Sequence, residues 1–274
     1  MKFLSHHTAG SGPTVLLVHG AAEDAGLLDD LGHALAARGC RAIWYDRRGT
    51  GGSTRDDWPG GGADQHADDA AALLADLGAT GATVAGFSSG GVVALALAAR
   101  HPAAAAQVIA WEPPALGMLP GAADMHAAIM APINAYLTEH PGDWVGGYHV
   151  MLGILSEGRA DLSSPEVKRM AVNAEAALRD DGPRTPLRGF APGELPAGRT
   201  TVAVGETADP LHADIAARIA ALVSSAPVVV PGADDHEVYL SRPDVMAAFL
   251  ARIRPSSAHG GVARPPASSP RAAR

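Results

Sequence analysis

Four short runs of apolar residues, Thr14 to Val18, Arg41 to Tyr45, Ala82 to Gly86 and Gln107 to Trp111, are separated by segments long enough to be helices. None shows the polar alternation of a half-exposed strand, so each is expected to be covered on both faces. The segments between them carry helical spacing and end on a breaker. Ala25 to Arg38 has Leu27, Leu28, Leu31 and Leu35 and stops at Gly39; Asp64 to Leu77 stops at Gly78; Ser89 to Arg100 stops before His101-Pro102. Repeated strand, helix, strand fits an α/β domain on a mostly parallel sheet.

The alternation breaks after Trp111. Helical stretches over Asp124 to His140, Asp143 to Leu155 and Ser164 to Arg179 are joined by proline-containing links, with no convincing strand. Residues 112–192 are therefore expected to be a helical insertion, or lid. Strand and helix resume with Arg199 to Val204, Leu211 to Val223, Ala226 to Val230 and Pro243 to Arg252, which makes 1–111 and 193–254 the core. Residues 255–274 have almost no large apolar side chain and are expected to be a disordered tail.

The formal charge of −8 argues against a nucleic-acid surface or an anionic membrane as partner. A single cysteine, Cys40, excludes an intrachain disulfide framework and a cysteine-based metal site. The opening MKFLSHHTAG lacks a secretory apolar stretch, and nowhere do roughly 18 apolar residues run together, so a cytoplasmic location is expected. Gly49-Thr50-Gly51-Gly52-Ser53 hints at a dinucleotide loop, but Thr54 stands where the third glycine is needed. No cofactor and no metal are expected, and the expected partner is a small-molecule substrate. The oligomeric state is not readable.

Gly86-Phe87-Ser88-Ser89-Gly90 lies where a buried strand hands over to a helix, the setting of a nucleophile elbow. A serine on so sharp a turn requires neighbours without bulk two residues before and two after, and glycine stands at both places. With 32 glycines in the chain, a G-x-S-x-G string arises by chance about 0.2 times, so its placement carries the weight. The alternative is that Ser88 simply caps the helix. A serine nucleophile needs a base held by an acid. His236 follows the last strand and Asp209 the strand before it, so Ser88, Asp209 and His236 can meet at the carboxyl edge of the sheet. Asp209 is the preferred acid and Glu112 the runner-up, with Glu206, Asp234 and Asp235 behind them. His126, His140 and His149 of the insertion are expected to be solvated.

These residues, with His19-Gly20, Asp46-Arg47-Arg48-Gly49-Thr50-Gly51-Gly52-Ser53, Arg100-His101-Pro102 and Glu112-Pro113-Pro114, resemble the α/β-hydrolase fold superfamily, in its lid-bearing branch of cofactor-free esterases. The resemblance covers nearly all of Met1 to Arg254. It implies a mostly parallel sheet flanked by helices, with about seven strands here, because the dozen residues before Thr14 leave room for one leading strand rather than two. It also implies that the backbone N–H groups of Ala21 and Ser89 form the oxyanion hole, with His19 ordering that loop.

The expected function is a serine hydrolase that cleaves an ester, lactone or thioester of a medium-sized apolar substrate through an acyl-enzyme. Trp144, Tyr148, Met125 and Met151 are the expected substrate contacts. The same scaffold also carries perhydrolases and haloperoxidases, C–C bond hydrolases, cyclases and slow-turnover receptors, and the fold does not choose among them.

Overall fold

A computed structural model describes residues 4–55 and 60–253 of the chain. The expected tail, residues 255–274, lies outside the described residues. Strands β1 (His6–Ala9), β2 (Thr14–Val18), β3 (Arg41–Tyr45), β4 (Ala82–Phe87), β5 (Ala105–Trp111), β6 (Thr200–Val204) and β7 (Val228–Val229) form one sheet in the order β1-β3-β2-β4-β5-β6-β7. β1 pairs antiparallel with β3, and the other neighbours are parallel. The single leading strand and seven-stranded sheet agree with the sequence expectation. β7 has only two residues, both exposed, and so short an edge offers little template for a further strand.

Side-chain alternation divides the core into two layers. Leu16 and Val18 of β2 face one layer, packed by α2 (Gly62–Asp76), α3 (Ser89–Arg100) and α7 (Pro210–Leu222). Val15 and Leu17 face the other, packed by α1 (Asp29–Ala37), α8 (Val238–Ser241) and α9 (Pro243–Leu250). The expected helix from Ala25 opens instead as a 3₁₀ turn over Ala25–Leu28. Asp46 Oδ1 accepts from Ala25 N–H at 2.7 Å, which ties the start of that turn to the end of β3.

Between β5 and β6 the described chain contains helices and turns and no strand: α4 (Ala122–Glu139), α5 (Trp144–Leu155), α6 (Pro165–Met170), a 3₁₀ turn over Ala171–Asn173 and a π-helical turn over Ala176–Asp181. The helix expected over Ser164 to Arg179 is thus broken in two places. Asn173 accounts for part of this: its Nδ2 donates to the carbonyls of Ala22 (3.2 Å) and Glu23 (3.3 Å), and its Oδ1 accepts from Gly51 N–H (3.1 Å). These bonds fasten the segment to loops after β2 and β3. This segment between β5 and β6, the expected insertion, contributes most of a separate apolar cluster that includes Met130, Ile133, Tyr148, Met170 and Leu178 and takes in Ala22 from the loop after β2. No helix among the described residues is long and apolar enough to cross a membrane.

Candidate active site

Because β2 to β7 run parallel, the residues that follow them collect at one edge of the sheet. At the end of β4 the chain turns through Ser88, with φ 50° and ψ −123°, directly into α3. A positive φ at a non-glycine residue is strained, and such strain clusters at functional sites. The flanking glycines are required by contact. A Cβ on Gly86 would lie 2.0 Å from the Gly90 carbonyl oxygen, and one on Gly90 would lie 2.2 Å from that of Val18.

His236 lies in the loop after β7. Its Nδ1 lies 2.6 Å from Glu112 Oε2, at the end of β5, and its own carbonyl accepts from Trp111 Nε1 at 2.8 Å. The Glu112 side chain is 3% exposed, and Gly205 N–H, after β6, donates to its second oxygen at 2.9 Å. Burial pushes the Glu112 carboxyl upward in pKa, but the bonds from His236 and Gly205 outweigh it and hold it below its ordinary value. For His236 the signs reverse: burial lowers the imidazole, and the Glu112 carboxylate more than offsets this, so its pKa is raised. Glu112 also has φ 39°, a second strained residue at this edge.

Asp209, the preferred acid from sequence, is not on His236. It is exposed, and as the N-cap of α7 its Oδ1 accepts from the N–H groups of Leu211 (2.9 Å) and His212 (3.1 Å). Its Oδ2 holds His212 Nδ1, so the carboxylate is used locally. Asp209-Pro210 is a cap followed by a proline at the first helical position, and that pattern was the readable signal of this capping role. The His212 ring stacks on His236 with centroids 4.9 Å apart. Glu112, His212 and His236 bring possible ligand atoms within 4.8 Å of one another, but stacked rings aim their in-plane lone pairs side by side rather than at one point, a poor fit to a metal ion.

The loop after β2 carries Ala21, half-buried, and Ser89 begins α3, buried. His19 is buried and neutral: burial first, then the Arg47 charge, lowers its pKa to about 3. Its Nδ1–H therefore donates to the Gly20 carbonyl (2.8 Å) and its Nε2 accepts from Arg47 N–H (3.0 Å), an ordering role for that loop. Glu23, absent from the sequence expectations, accepts from Gly20 N–H at 2.7 Å and from the Tyr239 hydroxyl at 2.5 Å. Burial raises its pKa to about 7 against both bonds.

The four expected substrate contacts divide. Tyr148 is buried inside the insertion's cluster with its hydroxyl on Met170 Sδ at 3.3 Å, while Trp144 and Met151 pack partly buried against that cluster and Met125 is exposed. His126, expected to be solvated, is buried with Nε2 2.8 Å from the Gly182 carbonyl, so it braces the π-helical turn.

A family model described as serine aminopeptidase, S33, matches residues 11–142, from the approach to β2 through α4 and including the elbow. The hydrolase YraK of Bacillus subtilis (strain 168) is 38% identical over 119 residues, 43% of this chain and 44% of that one, so the match spans less than half of that relative. Among solved structures, an alpha/beta hydrolase from Sphaerobacter thermophilus superposes with TM-score 0.70 at 22% identity, covering 91% of this chain and 95% of the other. The enol-lactonase from Burkholderia xenovorans LB400 gives TM-score 0.55 at 20% identity, covering 91% and 95%.

Proposed function

For this chain, a member of the α/β-hydrolase superfamily, we propose a serine hydrolase acting on an ester, lactone or thioester through an acyl-enzyme. The observation that carries the reading is the 2.6 Å contact between His236 and a buried carboxylate, at the sheet edge that also presents strained Ser88. In this reading Ser88 Oγ attacks the carbonyl carbon as its proton passes to His236 Nε2, and Glu112 keeps Nδ1 protonated and stabilises the imidazolium. The N–H groups of Ala21 and Ser89 hold the oxyanion. His236 then returns the proton to the leaving group, and a water, deprotonated by the same imidazole, releases the acyl group from Ser88.

The apolar side chains of the segment between β5 and β6 are the basis for reading the substrate as uncharged. Both oxygens of Glu112, of Glu23 and of Asp181 are already bound by protein donors, which leaves these three committed to the protein rather than to a substrate cation. The insertion serves as the lid, with Trp144, Met151 and Met125 meeting a medium-sized apolar acyl or aromatic group and Tyr148 supporting them from within. The test is a series of p-nitrophenyl esters of increasing acyl length, with wild type and Ser88→Ala. Turnover that peaks at intermediate length and falls on the order of 10⁴-fold or more in the variant supports the reading. Equal turnover in the two proteins contradicts it.

A further inference from the structure

The loop after β2 and the start of α3 share a buried ion pair that crosses from the core to the insertion. Arg47, 2% exposed, lies just beyond β3; Asp181, 4% exposed, ends the π-helical turn. Arg47 Nη2 donates to Asp181 Oδ2 at 3.0 Å and to the Gly20 carbonyl at 2.7 Å. Ser89 Oγ donates to the same Asp181 oxygen at 2.7 Å, with Arg47 Nη1 3.5 Å away, and the Thr185 hydroxyl holds Asp181 Oδ1.

From this arrangement we infer that Arg47 and Asp181 are positioning residues of the oxyanion hole, so that the last turn of the insertion completes the hole as well as covering it. The inference rests on the hydrolase reading above. Gly20 C=O and Ala21 N–H belong to one peptide, and no described peptide bond is cis. In a trans peptide the two groups point in opposite directions, so fixing the oxygen aims the hydrogen. Here the oxygen is fixed twice, by Arg47 Nη2 and His19 Nδ1, while Gly20 N–H on the other side is fixed by Glu23. A cation on the carbonyl also polarises that amide, which makes its N–H the stronger donor. The second donor residue, Ser89, is tethered through its hydroxyl to the same pair.

A buried ion pair can be purely structural, and breaking one then costs stability without touching chemistry selectively. This pair differs in what else it holds: besides each other, its members bind the carbonyl of the peptide that carries the Ala21 N–H and the side chain of Ser89. π-helical turns are rare and frequently sit at functional sites, in keeping with the need to bring Asp181 to this point.

The experiment compares an oxygen ester, p-nitrophenyl acetate, with its thionoester, whose sulfur is a poor acceptor for oxyanion-hole donors. It uses wild type, Asp181→Asn, Arg47→Lys and Ser89→Ala, each checked for folding by circular dichroism. Asp181→Asn keeps the volume and removes the charge; Ser89→Ala keeps the backbone donor, removes only the tether, and serves if the ion-pair variants do not fold. The expected result is a fall in kcat for the acetate of about 10- to 1000-fold, with KM changed little and the preference for oxygen over sulfur reduced in parallel. An unchanged preference in a folded variant overturns the inference, as does loss confined to bulky esters, which would make the insertion a cover only. Failure of the underlying reading looks different: wild type itself would turn over neither ester, and both proposals would fall.

Discussion

His236 Nδ1 meets Glu112 Oε2 at 2.6 Å across 124 residues of sequence, while Asp209, a shorter distance along the chain, is bound to His212. In the proposed triad the acid therefore stands at the end of β5 rather than β6. Gly205 N–H fixes the other oxygen of Glu112, so the carboxylate has one free direction of use, toward the imidazole.

Glu112→Gln should lower kcat/KM on the order of 10³- to 10⁴-fold, because an amide can donate to Nδ1 and hold the imidazole in the wrong tautomer. Asp209→Asn should leave kcat/KM within about threefold, since asparagine is as good an N-cap as aspartate, whereas Asp209→Ala should lose about 1 kcal/mol of stability. Steady-state kinetics and thermal unfolding of the three variants check this. A larger kinetic loss in Asp209→Asn than in Glu112→Gln would return the acid to β6.

What the sequence made legible and what it did not follow from the same residues. The elbow was readable because sterics admit only glycine at 86 and 90, a local requirement written in residue identity. His236 was readable because a parallel sheet sends every strand end to one edge. The choice between Glu112 and Asp209 was not, because both follow strands at that edge; it turns on the φ of 39° at Glu112 and on the donor at Gly205, neither of which has a sequence signature. Glu23, Asn173 and Asp181 were equally silent, since each acts through a partner far along the chain. Tyr148 was misplaced for a related reason: an apolar insertion residue can pack within the insertion or face a substrate, and periodicity is the same in both cases.

The pH dependence of kcat/KM should report His236 in the free enzyme. Its pKa is raised, so the acid limb should have its midpoint above 6.5. Activity requires the neutral imidazole and should rise with pH through that midpoint. In Glu112→Gln the raising partner is gone, and the midpoint of the residual activity should move down. A midpoint that stays put would separate Glu112 from the titrating group.

Glu23 predicts a pH effect on stability rather than on rate. Its folded-state pKa of about 7 lies above the value of 4.5 for an unperturbed carboxyl. Between those values the folded protein keeps a proton that the unfolded chain has released, so stability falls as pH rises, by up to about 3 kcal/mol. Buried neutral histidines act in the opposite sense, so the useful quantity is the unfolding free energy of wild type minus that of Glu23→Gln. It should decline between pH 4.5 and 7 and level off above. A difference that is flat across this window would mean that Glu23 is already ionised throughout.

The elbow predicts a narrow tolerance. Gly86→Ala places a methyl 2.0 Å from the Gly90 carbonyl oxygen, a contact that backbone must move to relieve. We expect a loss of about 1 to 3 kcal/mol, or more, together with loss of turnover beyond what the unfolded fraction explains. Gly78→Ala is the control, because no atom lies within 4 Å of the added Cβ and only its φ of 59° is strained. It should keep full turnover per folded molecule. Equal kinetic behaviour of the two variants would remove the steric argument for the elbow.

The most direct measurement is the site of covalent reaction with a fluorophosphonate. The folded protein should gain one phosphonyl group by intact mass, and peptide mapping should place it on Ser88. Ser88→Ala should gain none, and Glu112→Gln should react far more slowly than wild type at the same pH. A folded wild-type protein that takes up no label, or takes it at another residue, would contradict the assignment of Ser88 as a nucleophile served by His236 and Glu112.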